Sequence, residues 1–286
     1  MPSFLTRLQT ALAGQASAGT PGAAVPAPAD EPAPQVPADL ADLLPTDRAA
    51  DQPRAVALGA DGETVVCWEL AAGTGSTAPQ LGEALRAAAS PWRPVVVDDE
   101  WEDALTEAPQ HPDELAGLDV EEGPLLLDRR WQAAHDRAVR EERAGMHRGR
   151  TPAAATAAAT RAVVERPEAL DDAAVAVVRA DDLWQLPAVL GWAPVDAGLS
   201  AHELSVVLQY WQDQWGAHVV ALGARSLVLR LDDPPATDDD ALAAAQEVLA
   251  VAPALLSADL VEPLPRAAEL LAPALLGAGW WHVHLA

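Results

Sequence analysis

With 286 residues, 43 acidic side chains and a formal charge of −25, the chain has the wrong sign for nucleic-acid phosphates or an anionic membrane surface. Half of it is hydrophobic, enough for one large or two modest cores, yet no stretch reaches the roughly 18 uncharged apolar residues of a membrane helix. A single cysteine, Cys67, excludes an internal disulfide and points to a reducing, cytoplasmic setting. Lys, Asn and Ile are absent, so every fixed side-chain cation is an arginine. Those three residue types need A/T-rich codons, and the Ala and Pro excess then reads as the mutational background of a high-GC bacterial genome.

Residues 1–38 are expected to be a short amphipathic helix carrying Phe4, Leu5, Leu8 and Leu12, followed by an Ala/Pro-rich linker that buries little. With Arg7 inside its apolar part and no basic start, this segment does not read as a signal peptide. A first α/β unit is expected over 40–145. Its hairpin pairs Arg54–Leu58 with Glu63–Leu70 around Ala60-Asp61-Gly62. A helix at Pro79–Ala89, a buried strand at Pro94–Val97 and a helix at Asp128–Ala144, capped by Asp128, complete it. Met146–Thr160 lacks periodicity and reads as a connection.

A second unit spans 161–286. Ala173–Val178 is an apolar run fit for a buried strand. Ser200 and Glu203 form a capping box, behind which Leu204, Val207, Leu208, Trp211 and Trp215 recur on one helical face up to Gly216. Strands at Ala217–Ala221 and Leu227–Leu231 follow. Thr237 caps a helix to Ala250, with Asp238, Asp239 and Asp240 at the positive end of its dipole. A helix at Pro265–Leu276 and a strand at Trp281–Leu285 close the chain. The order β-α-β-β-α-(α)-β predicts an α+β fold with a ferredoxin-like, split βαβ sandwich at the C-terminal end.

Several positions in this second unit form a pattern: Leu190-Gly191-Trp192, Trp211, Gly216-Ala217, Gly223, Leu227, Glu247, Pro253 and Trp281. The pattern resembles a bacterial family known as domain of unknown function 4253, over about residues 178–286. The chain departs from it at mostly polar places. Ala193 and Asp196 replace a Gly and an Asn, Gln214 an Arg, Trp215 a Phe and Arg225 an Asp. Val248, Ala252 and Ala254 stand for a His, a Cys and an Asp, and His282 to Ala286 replace an aromatic-rich end. The resemblance implies a divergent member that keeps the scaffold, and it carries no activity with it.

No phosphate-binding loop, dinucleotide glycine fingerprint, G-x-S-x-G or HExxH is present, so no catalytic residue and no cofactor is assigned. His282 and His284, two apart on a strand, share a face, and with His218 they are the weak metal candidates. Acidic clusters at Asp98–Asp103, Glu121-Glu122 and Asp232–Asp240 lack calcium-loop spacing and read as solvated surface. Seven of the eighteen arginines lie between Arg129 and Arg150, a local charge of about +4 after Asp136, Glu141 and Glu142 are subtracted. The interaction candidates are Trp192, Trp280, Trp281, Arg129, Arg130, Arg137 and Arg140. The expected role is non-enzymatic: an acidic regulatory or immunity-type protein binding a basic protein partner. The alternative is an enzyme, or a small-ligand or metal binder, with a pocket between the two units gathering His218, His282, His284 or Glu247.

Overall fold

A computed structural model of the chain describes residues 90–98, 100–115, 117–119, 121–143, 160–165, 174–194, 198–253, 255 and 264–285, together with the backbone of two strands at 54–57 and 64–69. All of them belong to the unit Val36–Ala286. The expectations for residues 1–38, for the helix at Pro79–Ala89 and for nearly all of the connection Met146–Thr160 lie outside the described residues.

Strands β1 (Arg54–Ala57) and β2 (Thr64–Glu69) pair antiparallel, Ala57 opposite Thr64, and the Asp61-Gly62 position expected to turn the chain lies outside the described residues. They are followed by β3 (Trp92–Val97), a short helix α1 (Pro112–Leu115) and a long helix α2 (Glu122–Arg143). Then come β4 (Ala174–Arg179), α3 (Leu186–Leu190) and α4 (Ala201–Trp215). The chain closes with β5 (Ala217–Leu222), β6 (Ser226–Leu231), α5 (Asp238–Val251), α6 (Leu264–Leu275) and β7 (Trp280–His284).

The expected start of the long helix at Asp128 is corrected to Glu122. Pro124 is tolerated because it sits in the first turn, where its missing N–H has no intrahelical partner to lose. Leu126 and Leu127 are buried, so the added turns anchor the helix, and Asp128 lies exposed within it rather than capping it.

The seven strands form one sheet in the order β1-β2-β4-β3-β5-β6-β7. The fold is α+β, but the ferredoxin-like order is corrected. That order sets the closing strand beside the opening one, whereas β7 pairs with β6, and β3 lies between β4 and β5, antiparallel to the first and parallel to the second. The reason lies in burial. Val175 to Val178 of β4 are buried, so water cannot serve their N–H and C=O groups on either edge, and β2 on one side and β3, with buried Val95, Val96 and Val97, on the other supply the partners. β7 alternates buried and partly exposed residues, which suits an edge. Strands from the 40–145 and 161–286 segments thus share one sheet.

One face of that sheet carries the main core. Val95, Val97, Ala176, Val178, Leu227, Leu229, Leu231, Trp281 and Val283 point into it from the strands, against Leu204, Val207, Trp211, Ala244, Val248 and Leu271 of the helices. Full burial of a large apolar side chain contributes about 1.5–3 kcal/mol, so this layer dominates stability. A bulge between Val219 and Ala221 breaks the alternation of β5. The extra residue turns Leu222 into the main core and leaves Ala221 on the back face with Val96 and Val228.

Candidate functional site

The chemically distinctive group of the helical layer is Glu247. Thr237 caps α5 through a bond from the Asp240 amide, and the buried stripe Ala241, Ala244, Ala245 and Val248 fixes its rotation. Glu247 is thereby turned toward α4. That helix is held by the predicted capping box of Ser200 and Glu203 at one end and by left-handed Gly216 (φ 58°) at the other. Trp211 and Trp215, four residues apart, share a face, with Tyr210 beside them. Tyr210 Oη donates to Glu247 Oε1, and the indole Nε1 atoms of Trp211 and Trp215 both donate to Oε2, each at 3.0 Å. Trp281 completes the cluster, edge-on to Trp211 (centroids 5.5 Å apart, 86°) and to Trp215 (6.4 Å, 60°).

Burial pushes the Glu247 carboxyl above its ordinary range, against the pull of the three donors, which favour the ionised form. Burial, and then the Glu247 carboxylate, hold the Tyr210 hydroxyl protonated well above the usual tyrosine range. Tyr210 is therefore a donor, not a base. The arrangement clamps α4 to α5 through one carboxylate shared by three aromatic side chains.

The histidines lie on the other face. Trp281 points to the helices, so its strand neighbours Trp280 and His282 point away from them. His282 stands opposite Val228 and His284 opposite Ser226, while His218 stands opposite Arg230, which stands opposite Trp280. His218 Nε2 bonds Asp232 Oδ2 at 3.1 Å, and the same carboxylate meets Arg230 at 3.2 Å. Burial, and then His284, lower the His282 pKa. Among the described residues no group of three or more His, Cys, Asp or Glu side chains is placed to hold a metal. His218, His282 and His284 are not gathered into a ligand set, and the sheet separates them from Glu247.

The interaction candidates divide by burial. Trp192 and Trp281 are fully buried, which corrects the expectation that they offer surface to a partner, and Trp280 is partly exposed. The fully buried Trp192 donates from Nε1 to the Gly223 carbonyl (3.0 Å), pinning the β5–β6 turn. Arg130 is also turned inward. It bonds the Ala250 carbonyl at the end of α5 (2.9 Å) and the Gly198 carbonyl (2.7 Å), a favourable place for a cation at a helix C-terminus. Desolvation lowers its pKa, Glu203 opposes that, and Arg137 adds to it. Arg129, Arg137 and Arg140 are exposed.

Two of the acidic clusters expected as solvated surface, Asp98–Asp103 and Glu121-Glu122, belong to one stretch between Arg93 and Arg129 that holds twelve carboxylates and no arginine, nearly half of the net −25. The structure fastens this stretch down. Trp101, Ala104, Pro112 and Leu115 are buried. Thr106 and Glu107 amides bond the Gly191 carbonyl (3.1 Å each), Glu107 accepts from the Ala201 amide at the start of α4 (3.0 Å), and the Gln110 amide bonds the Ala188 carbonyl (2.9 Å). Gly191 (φ 66°) is required here, because a Cβ would collide with the Glu107 carbonyl. Asp103, Asp113, Glu114, Asp119, Glu121, Glu122 and Asp128 are left exposed on a fixed backbone.

Residues 174–284 match the family model described as a domain of unknown function (DUF4253), so this segment of the chain is a domain of that family. No curated protein and no solved structure matches the chain. No helix among the described residues is long and apolar enough to cross a membrane.

Proposed function

We propose that this protein is an acidic regulatory or immunity-type protein that binds a basic protein partner and catalyses no reaction of its own. The observation that carries the reading is the stretch from Asp98 to Asp128, with twelve carboxylates, no arginine and a backbone tied to the LGW turn and to α4. Charge held on a fixed backbone loses little entropy when a partner docks, and a field of one sign speeds encounter with the opposite sign. The same charge disfavours nucleic acid and anionic membranes, and the lone cysteine suits the cytoplasm. The alternative, a pocket shared by Glu247 and the histidines, draws no support from groups on opposite sheet faces.

The test is capture from a native lysate by the full chain and by a variant with Asp113→Asn, Glu114→Gln, Glu121→Gln and Glu122→Gln. A basic protein retained by the native chain, and lost both to the variant and to high salt, is the expected result. Retention that ignores the substitutions overturns the assignment to this segment.

A further inference from the structure

The sheet ends at β7, and its hydrogen bonds fix which way each of its residues faces. The Leu231 amide donates to the Gly279 carbonyl (2.9 Å) and the Leu285 amide to the Arg225 carbonyl (2.7 Å). Leu229 stands opposite Trp281 and Leu227 opposite Val283. In an antiparallel ladder this makes Gly279, Trp281, Val283 and Leu285 the residues that exchange bonds with β6. Trp280, His282 and His284 therefore turn their N–H and C=O groups outward, to the side where no described strand follows.

Open edges of this kind are ordinarily blunted by Lys, Pro, a bulge or an inward charge. None of these occurs in β7, whose register to β6 is regular. Residues 274–286 hold no Pro, and residues 270–286 no Asp or Glu. In a chain with 43 acidic residues this edge is free of carboxylates along its length.

We propose that β7 pairs antiparallel with β7 of a second copy of this chain, about a two-fold axis at His282. The outward residues are spaced evenly around that position, so Trp280 of one copy meets His284 of the other and all six outward groups of each strand find partners. Both faces continue across the joint. Trp281 and Val283 stay under the helices, while Trp280, His282 and His284 line the back face in aromatic cross-strand pairs. Charge selects the occupant. Arg230, tied to Asp232, and Ser226 stand opposite Trp280 and His284 on the adjoining strand, with exposed Arg225 at its start, so a basic strand meets Arg225 and no carboxylate on β7. A second copy instead brings a strand as neutral as this one, at a place where two polyanions meet without opposed carboxylates.

Sedimentation velocity of the full chain at rising concentration, in enough salt to screen the −25 charges, is the test, with amide hydrogen exchange read at residues 280, 282 and 284. The expected result is a shift from the mass of one chain to that of two, with protection at those three amides growing in step. His284→Pro removes an outward N–H at an exposed position, and His282→Lys sets like charges across the axis. Each should weaken association by at least about tenfold while near-ultraviolet circular dichroism stays native. A chain that stays monomeric at every concentration overturns the proposal, and so does a dimer whose three amides exchange freely or that both folded variants leave equally tight.

Discussion

Replacing Glu247 by alanine removes the shared acceptor of Tyr210, Trp211 and Trp215. Trp211 is fully buried and Trp215 is 5% exposed, so their indole N–H groups have no water to turn to, whereas the partly exposed Tyr210 can rotate its hydroxyl outward. An orphaned buried donor costs about 1–3 kcal/mol, which puts Glu247→Ala at about 3–5 kcal/mol once the lost packing is included. That is a large part of the roughly 5–15 kcal/mol available to a folded domain. Glu247→Gln differs, because its carbonyl oxygen still accepts from both indoles and the tyrosine hydroxyl can accept from the new amide, so its loss should be about 1 kcal/mol. Urea unfolding followed by far-ultraviolet circular dichroism gives both values, provided the m-values agree. Equal losses in the two variants, or an alanine loss below about 1 kcal/mol, would refute the clamp.

The same carboxylate sets a pH dependence. Its folded pKa lies above its ordinary value of 4.5, so the folded state binds its proton more tightly and this group's contribution to stability falls as pH rises from the unfolded to the folded pKa. Stability curves of the native chain and Glu247→Gln should converge as pH rises through that window, with the native chain gaining on acidification relative to the variant; parallel curves would contradict the sign. Gly191→Ala forces an L side chain to φ 66° and a Cβ against the Glu107 carbonyl, for an expected loss of about 2–4 kcal/mol in urea. Glu107→Ala removes the acceptor of the Ala201 amide and should cost about 1 kcal/mol, with faster amide exchange in the first turn of α4.

The local elements were legible because their signals are local. The pairing of the two strands that flank Asp61-Gly62, the Ser200–Glu203 box, the Thr237 cap and the left-handed Gly216 each need only a few neighbouring residues, and all four are realised. Strand order was not legible, since β3 comes from far upstream and an apolar run does not name its neighbour. The start of the long helix was missed because Asp128 is a plausible cap in isolation, while the burial of Leu126 and Leu127 is a tertiary fact. The tryptophans were ambiguous for a related reason. A buried indole and an exposed one look alike until the acceptors appear, Gly223 for Trp192 and Glu247 for Trp211 and Trp215. The resemblance includes both Trp211 and Glu247, and the structure makes them hydrogen-bond partners.

The proposed role requires that the carboxylates between Asp98 and Asp128 attract a basic protein. The most direct measurement is the association rate constant of the captured partner across a range of ionic strength, for the native chain and for the variant neutralised at Asp113, Glu114, Glu121 and Glu122. The expected result is a rate that falls steeply with salt, and a variant slower by about tenfold at low salt that meets the native chain at high salt. A rate indifferent to salt, or a variant as fast as the native chain, would contradict it.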